Sequence, residues 1–134
     1  DKLGQFKMQG LSNIVWAYAT AEESHPKLFK KVAEHIIGLD KLSEFKSQEL
    51  SNIVWAYATA KESHPKLFKK VAEHIIGLDK LSEFKAQGLS NIAWAYATAE
   101  ESHPKMFKKV AEHITGLDKL GQFKMQGLSN IVWA

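Results

Sequence analysis

Lys7, Gln9, Ser12, Asn13 and Trp16 form a set that returns as Lys46, Gln48, Ser51, Asn52 and Trp55. It returns again as Lys85, Gln87, Ser90, Asn91 and Trp94, and as Lys124, Gln126, Ser129, Asn130 and Trp133. The step is 39 residues each time. An ammonium group at each step can neutralise one phosphate. Side-chain amides and hydroxyls can hydrogen-bond the edges of unstacked bases, and helical repeats can take one base each. Indoles at a regular step can stack single-stranded bases. On this chemistry Lys7, Gln9 and Ser12, with their copies, are the candidate RNA-contacting residues.

Each ladder also has a purely structural reading. Tryptophan is usually well buried, which favours Trp16 as a wedge between neighbouring helices over a stacking platform. A buried amide must find a partner, which favours Asn13 bonding to the backbone of the next repeat. Nothing local explains Gln9 and Ser12, so both readings stay open for them. Lys27, Lys30 and Lys31, with copies at Lys66, Lys69 and Lys70 and at Lys105, Lys108 and Lys109, read as a solvated face.

Catalytic chemistry has no foothold in this pattern. There is no nucleophile beside a base, no paired catalytic carboxylates and no glycine-rich phosphate loop. The six histidines recur as His25/His64/His103 and His35/His74/His113, ten apart within a unit. Helical metal ligands pair at four, so neither a metal site nor a cofactor is expected, and the chain reads as a non-enzyme. His25 reads as a helix cap and His35 as a surface residue. The sequence has no cysteine, which suits a reducing compartment. No apolar run is long enough for membrane insertion. Net charge is +3, and all 18 basic residues are lysine. The lack of arginine counts against base or phosphate readout by planar forks.

The elements that must carry these ladders follow from the repeat. Residues 11–49, 50–88 and 89–127 align without a gap, with 1–10 and 128–134 as partial copies. The first two full copies differ only at Glu22/Lys61, Ser47/Ala86 and Glu49/Gly88. A fixed period of this size predicts a single repeat array. Leu11, Ile14, Val15 and Tyr18 follow helical spacing and predict a first helix, A, from Met8 to Glu22, apolar nearly all round and largely buried. Pro26 opens a second helix, B, with Ser24 or His25 as N-cap, Gly38 as C-cap and lysines outward. Leu39, Leu42 and Phe45 predict a short third helix or linking turn, capped by Asp40. The expected fold is all-α: an α-solenoid of helix pairs, right-handed by analogy with other helix-pair solenoids.

The stretch FKSQELSNIVWAYATA at residues 45–60 resembles the first-helix signature of octotricopeptide repeats. Phe6, Gln9, Leu11, Asn13, Trp16 and Ala17 carry the likeness, and it spans essentially the whole chain through their copies. Similar WAYATA arrays occur in algae and other protists. The resemblance implies an inner surface that binds single-stranded RNA in chloroplast or mitochondrial RNA metabolism. The chain departs from that family at the usual proline before glutamine, where it has Met8, Ser47, Ala86 and Met125, at Tyr18, and in the near-identity of its units. Near-identical units and mild charge also fit a scaffold for protein partners. Residues 1–17 and 118–134 are identical. That match suggests an excerpt of a longer array and makes head-to-tail self-association geometrically natural.

Overall fold

A computed structural model describes residues 7–23 and 25–116. Six α-helices run through them: α1 (Met8–Thr20), α2 (Pro26–Ile37), α3 (Ser47–Thr59), α4 (Pro65–Gly77), α5 (Ala86–Thr98) and α6 (Pro104–Thr115). There is no strand among the described residues. Helices α1, α3 and α5 are the A helices and stack on one another in order; α2, α4 and α6 do the same as the B helices. The result is a two-layer stack of helix pairs, the solenoid arrangement that the period requires. The A helices approach each other more closely than the B helices. The A side is therefore the inner face of the stack.

Small residues permit that approach. Ser12 and Ser51 are fully buried, and Gly88 lies against Ser51. A Cβ built on Gly88 would stand 3.0 Å from the Ser51 Oγ. The central helix α3 buries Leu50, Ile53, Val54, Ala56, Tyr57 and Ala58 at once, because it meets α1 and α5 as well as the B layer. Each large apolar side chain removed from water in this way contributes roughly 1.5–3 kcal/mol. On the outer layer, Phe68, Val71, Ala72 and Ile75 of α4 face inward, while Lys66, Lys69 and Glu73 remain exposed.

The helix ends depart from expectation in instructive ways. Helix A stops at Thr20, not Glu22, because Glu22 enters the left-handed region at φ 58. The Glu22 amide then donates to the Ala19 carbonyl and the Glu23 amide to that of Tyr18, a Schellman closure. Lys61 and Glu100 repeat it at φ 58 and 57. Glycine would ordinarily take this position. Gly38 and Gly116 instead cap helix B in a right-handed conformation, and Gly77 ends α4 with Leu78 as its cap. All three prolines sit at the first turn of helix B. His25, His64 and His103 hold the N-cap position but make no side-chain cap bond.

The connector forms a turn, not a third helix. The Phe45 amide donates to the Leu42 carbonyl at 3.0 Å, and both side chains are buried. Asp40 is exposed and has no helix to cap.

Neighbouring repeats are joined by polar bonds as well as by packing. The Tyr57 hydroxyl donates to the Phe29 carbonyl at 2.5 Å, and that of Tyr96 to Phe68 at 2.6 Å. The Lys70 ammonium donates to the carbonyls of Ile37, at 2.7 Å, and Leu39 at the end of the preceding B helix. Lys109 does the same to Ile76, at 2.9 Å, and Leu78. These two lysines are inter-repeat caps that answer the negative end of a helix, a correction to their reading as a solvated face. Lys27, Lys30, Lys66, Lys69, Lys105 and Lys108 do face solvent. His74 is half-buried, and that burial holds its imidazole below the ordinary 6.5.

Candidate nucleic-acid interface

Almost all of α3 is covered, and what remains open is a line. Gln48, Asn52, Trp55 and Thr59 are its exposed or half-buried positions past the first residue. Their spacing of four, three and four places them one above another along the helix. The same line is Gln9, Asn13, Trp16 and Thr20 on α1, and Gln87, Asn91, Trp94 and Thr98 on α5. Stacking the A helices turns these lines into rows that cross the repeats.

Two of the rows have defined geometry. The Gln48 Nε2 donates to the Asn52 Oδ1 at 3.0 Å, and the Gln87 Nε2 to the Asn91 Oδ1 at 3.1 Å. Each pair leaves a glutamine oxygen as acceptor and an asparagine NH₂ as donor for an outside group. The expectation that asparagine bonds to the neighbouring backbone is thus corrected: Asn13 is exposed, and its copies pair with glutamine on the surface. The indoles of Trp16 and Trp55 lie 6.3 Å apart between ring centroids, and those of Trp55 and Trp94 6.5 Å, tilted by 32° and 31°. Trp16 is 44 % exposed. Trp55 and Trp94 are half-buried, with one side on the core and the neighbouring indoles beside them, so tryptophan is not a fully buried wedge. Two van der Waals layers need about 7 Å, so a base fits against the open faces and edges of this row, not between its members.

The serines belong to the stack. Ser12, Ser51 and Ser90 are fully buried. The Ser12 hydroxyl crosses to the Glu49 carbonyl at 3.2 Å, and those of Ser51 and Ser90 return to their own helix at Ser47 and Gln87. They lie beneath the surface that carries glutamine, asparagine and tryptophan. Lys7, Lys46 and Lys85 hold the N-cap positions in extended conformation with exposed side chains, so one edge of the face is lysine at every step. At α3 the Glu49 carboxylate accepts the Lys46 amide at 2.8 Å and places its own negative charge at that helix end. Gly10 and Gly88 put none there. Lys124, Gln126 and Ser129, with Asn130 and Trp133, lie outside the described residues.

The opposite edge is acidic. Glu22, Glu23, Glu62, Glu100 and Glu101 gather where helix A turns into helix B, with Lys61 among them. Grooves of about 440 and 370 Å³ open there between successive repeats. Tyr57 meets His64 edge-on at 5.2 Å, and the His64 Nε2 lies 3.5 Å from Glu62. Tyr96, His103 and Glu101 repeat the arrangement, with 5.4 Å and 3.3 Å. No cluster of three or more metal-ligating side chains occurs among the described residues. No helix among them is long and apolar enough to cross a membrane.

The A helices thus carry a polar and aromatic face, edged by lysine and repeated at each helix pair. Residues 4–126 match the family of the RNA-editing substrate-binding complex 6 protein, RESC6. The chain belongs to the RESC6 family. No curated protein and no solved structure matches it. The span shared with RESC6 takes in all six helices and every described copy of the Gln–Asn–Trp–Thr line.

Ser12 takes the structural one of its two readings, while asparagine and tryptophan take the surface one against expectation, and helical spacing accounts for both. A spacing of four, three and four from Gln9 runs through Asn13, Trp16 and Thr20, and that polar line was present in the sequence. Ser12 falls off it by one position, toward the neighbouring helix.

Proposed function

We propose that this RESC6-family chain is a non-catalytic RNA-binding module of an RNA-editing complex. It holds single-stranded RNA across its A helices, with the sugar–phosphate chain along the lysine edge and the bases over glutamine, asparagine and tryptophan. The observation that carries this reading is the exposed or half-buried Gln–Asn–Trp line, which recurs on α1, α3 and α5 with a lysine at the head of each. The Gln–Leu–Asn–Trp–Ala core further supports kinship with octotricopeptide-type repeats and an organellar setting.

A salt-titrated binding measurement with single-stranded RNA tests it. Replacing Lys7, Lys46, Lys85 and Lys124 by alanine removes four phosphate contacts and lowers the slope of log affinity against log salt by about three. Replacing Lys30, Lys69 and Lys108 leaves the slope unchanged. A larger effect from this second set, or no binding at low salt, contradicts the reading. A second role, as a scaffold for protein partners, draws support from the acidic grooves on the far edge, where a basic segment finds complementary charge.

A further inference from the structure

We infer that the RNA taken by this face is a homopolymeric run, one kind of base repeated, and not a mixed sequence. The inference rests on the RNA-binding reading above and adds what that site selects. Its ground is where the repeats differ. The A helices read MQGLSNIVWAYAT, SQELSNIVWAYAT and AQGLSNIAWAYAT, so they vary at three positions only.

None of the three lies on the open line. Val15, Val54 and Ala93 are buried. Glu49 and Gly88 are buried at the contact between A helices. Met8, Ser47 and Ala86 are half-buried, and the Ser47 hydroxyl is spent on the Glu83 carbonyl of the next connector at 2.9 Å. The one nearby difference in solvent, Glu22/Lys61/Glu100, lies past the helix end, about 20 Å along the axis from the lysine edge.

Glutamine, asparagine, tryptophan and threonine are the same in every described repeat. The glutamine–asparagine bond is the same on α3 and α5, at 3.0 and 3.1 Å, so these two steps present one acceptor and one donor in one arrangement, and Gln9 and Asn13 bring the same groups to α1. Selectivity is a difference in binding free energy between competing bases. Identical groups in identical geometry give that difference the same sign at every step, and a base favoured at one repeat is favoured at all. The tryptophan row advances by 6.3 and 6.5 Å, a step that one sugar–phosphate unit can span. Successive repeats can thus take successive nucleotides.

The test measures fluorescence anisotropy of the 134-residue chain with labelled RNA oligomers of about 12 nucleotides at one fixed salt concentration. Four oligomers are single-base runs of A, C, G and U. A fifth contains all four bases in balanced order with no two neighbours alike. One run is expected to bind at least tenfold more tightly than the mixed oligomer. Differences below tenfold, with a steep salt dependence retained, overturn the homopolymer inference and leave the RNA-binding reading standing. Absence of binding to all five at low salt overturns both. A variant carrying Gln48→Ala, Asn52→Ala, Gln87→Ala and Asn91→Ala changes exposed or half-buried side chains outside the core and keeps the fold, as circular dichroism will verify. It is expected to bring the preferred run down to the mixed oligomer while the salt slope stays. A preference that survives these substitutions overturns the inference as well.

Discussion

Tyr57 and Tyr96 each tie an A helix to the B helix of the repeat before it, through one hydroxyl and one ring. The ring stands edge-on to Phe29 or Phe68 at 4.9 Å, and the hydroxyl donates to that same residue's carbonyl. Burial first, and then the charge of Glu62 or Glu101, holds both phenols well above the usual 10.0. In the unfolded chain they lose their protons near that value, while in the folded chain they keep them. Above it the folded state binds more protons, so stability is full below pH 10 and falls as pH rises beyond it. Tyr57→Phe and Tyr96→Phe should each cost about 1 kcal/mol at pH 7 through the lost hydrogen bond. The same changes should flatten the alkaline loss. Urea unfolding at pH 7 and at pH 10.5 checks both, and variants as stable as the parent at neutral pH would show that the bond is idle. The role of tyrosine at this position was not legible in the sequence. Its apolar stripe announced burial, but the carbonyl it reaches is 28 residues away.

At the scale of the helix, the close contact between A helices rests on Ser51 and Gly88. Alanine at Gly88 brings a methyl group to 3.0 Å from the Ser51 Oγ. Ser12, at the matching place one repeat earlier, packs beside Glu49 and turns its hydroxyl across to that residue's carbonyl. Ser51 can turn the same way and make room. Gly88→Ala should then raise stability by about 0.5–1 kcal/mol, the helical preference of alanine over glycine. A fall in the thermal midpoint would show that the contact does not yield. Much at this scale was readable beforehand. The apolar spacing from Leu11 to Tyr18 set helix A, and Pro26, Pro65 and Pro104 set the start of helix B. The end of helix A was missed because Glu22, Lys61 and Glu100 turn left-handed with no glycine to signal it. The connector stayed open between a short third helix and a turn because Leu42 and Phe45, three apart, suit both, and the structure takes the turn. Ser12 stayed open between packing and reading because a small polar side chain has the same letters whether it packs or faces water. Trp16 looked buried because burial averages say nothing of a row in which tryptophan covers tryptophan.

The whole molecule is a stack whose inner face has two unlike edges, lysine where the A helices begin and glutamate where they end. In an array of this kind each unit rests on its neighbours, and a ligand that spans several units sees one continuous surface. The copies at residues 117–134 extend the pattern by sequence. Trp16, Trp55 and Trp94 belong to one row, and Trp133 is their copy by sequence, so tryptophan emission excited apart from tyrosine reports on the proposed binding face. That makes one titration the most direct test of the RNA reading: tryptophan emission followed as single-stranded RNA is added, with anisotropy of the labelled RNA recorded on the same samples. Bases stacking against the indoles should quench the emission in step with the anisotropy rise, and raising the salt should reverse both together. RNA that binds by anisotropy while the tryptophan emission stays unchanged would place the contact elsewhere on the stack and contradict the account.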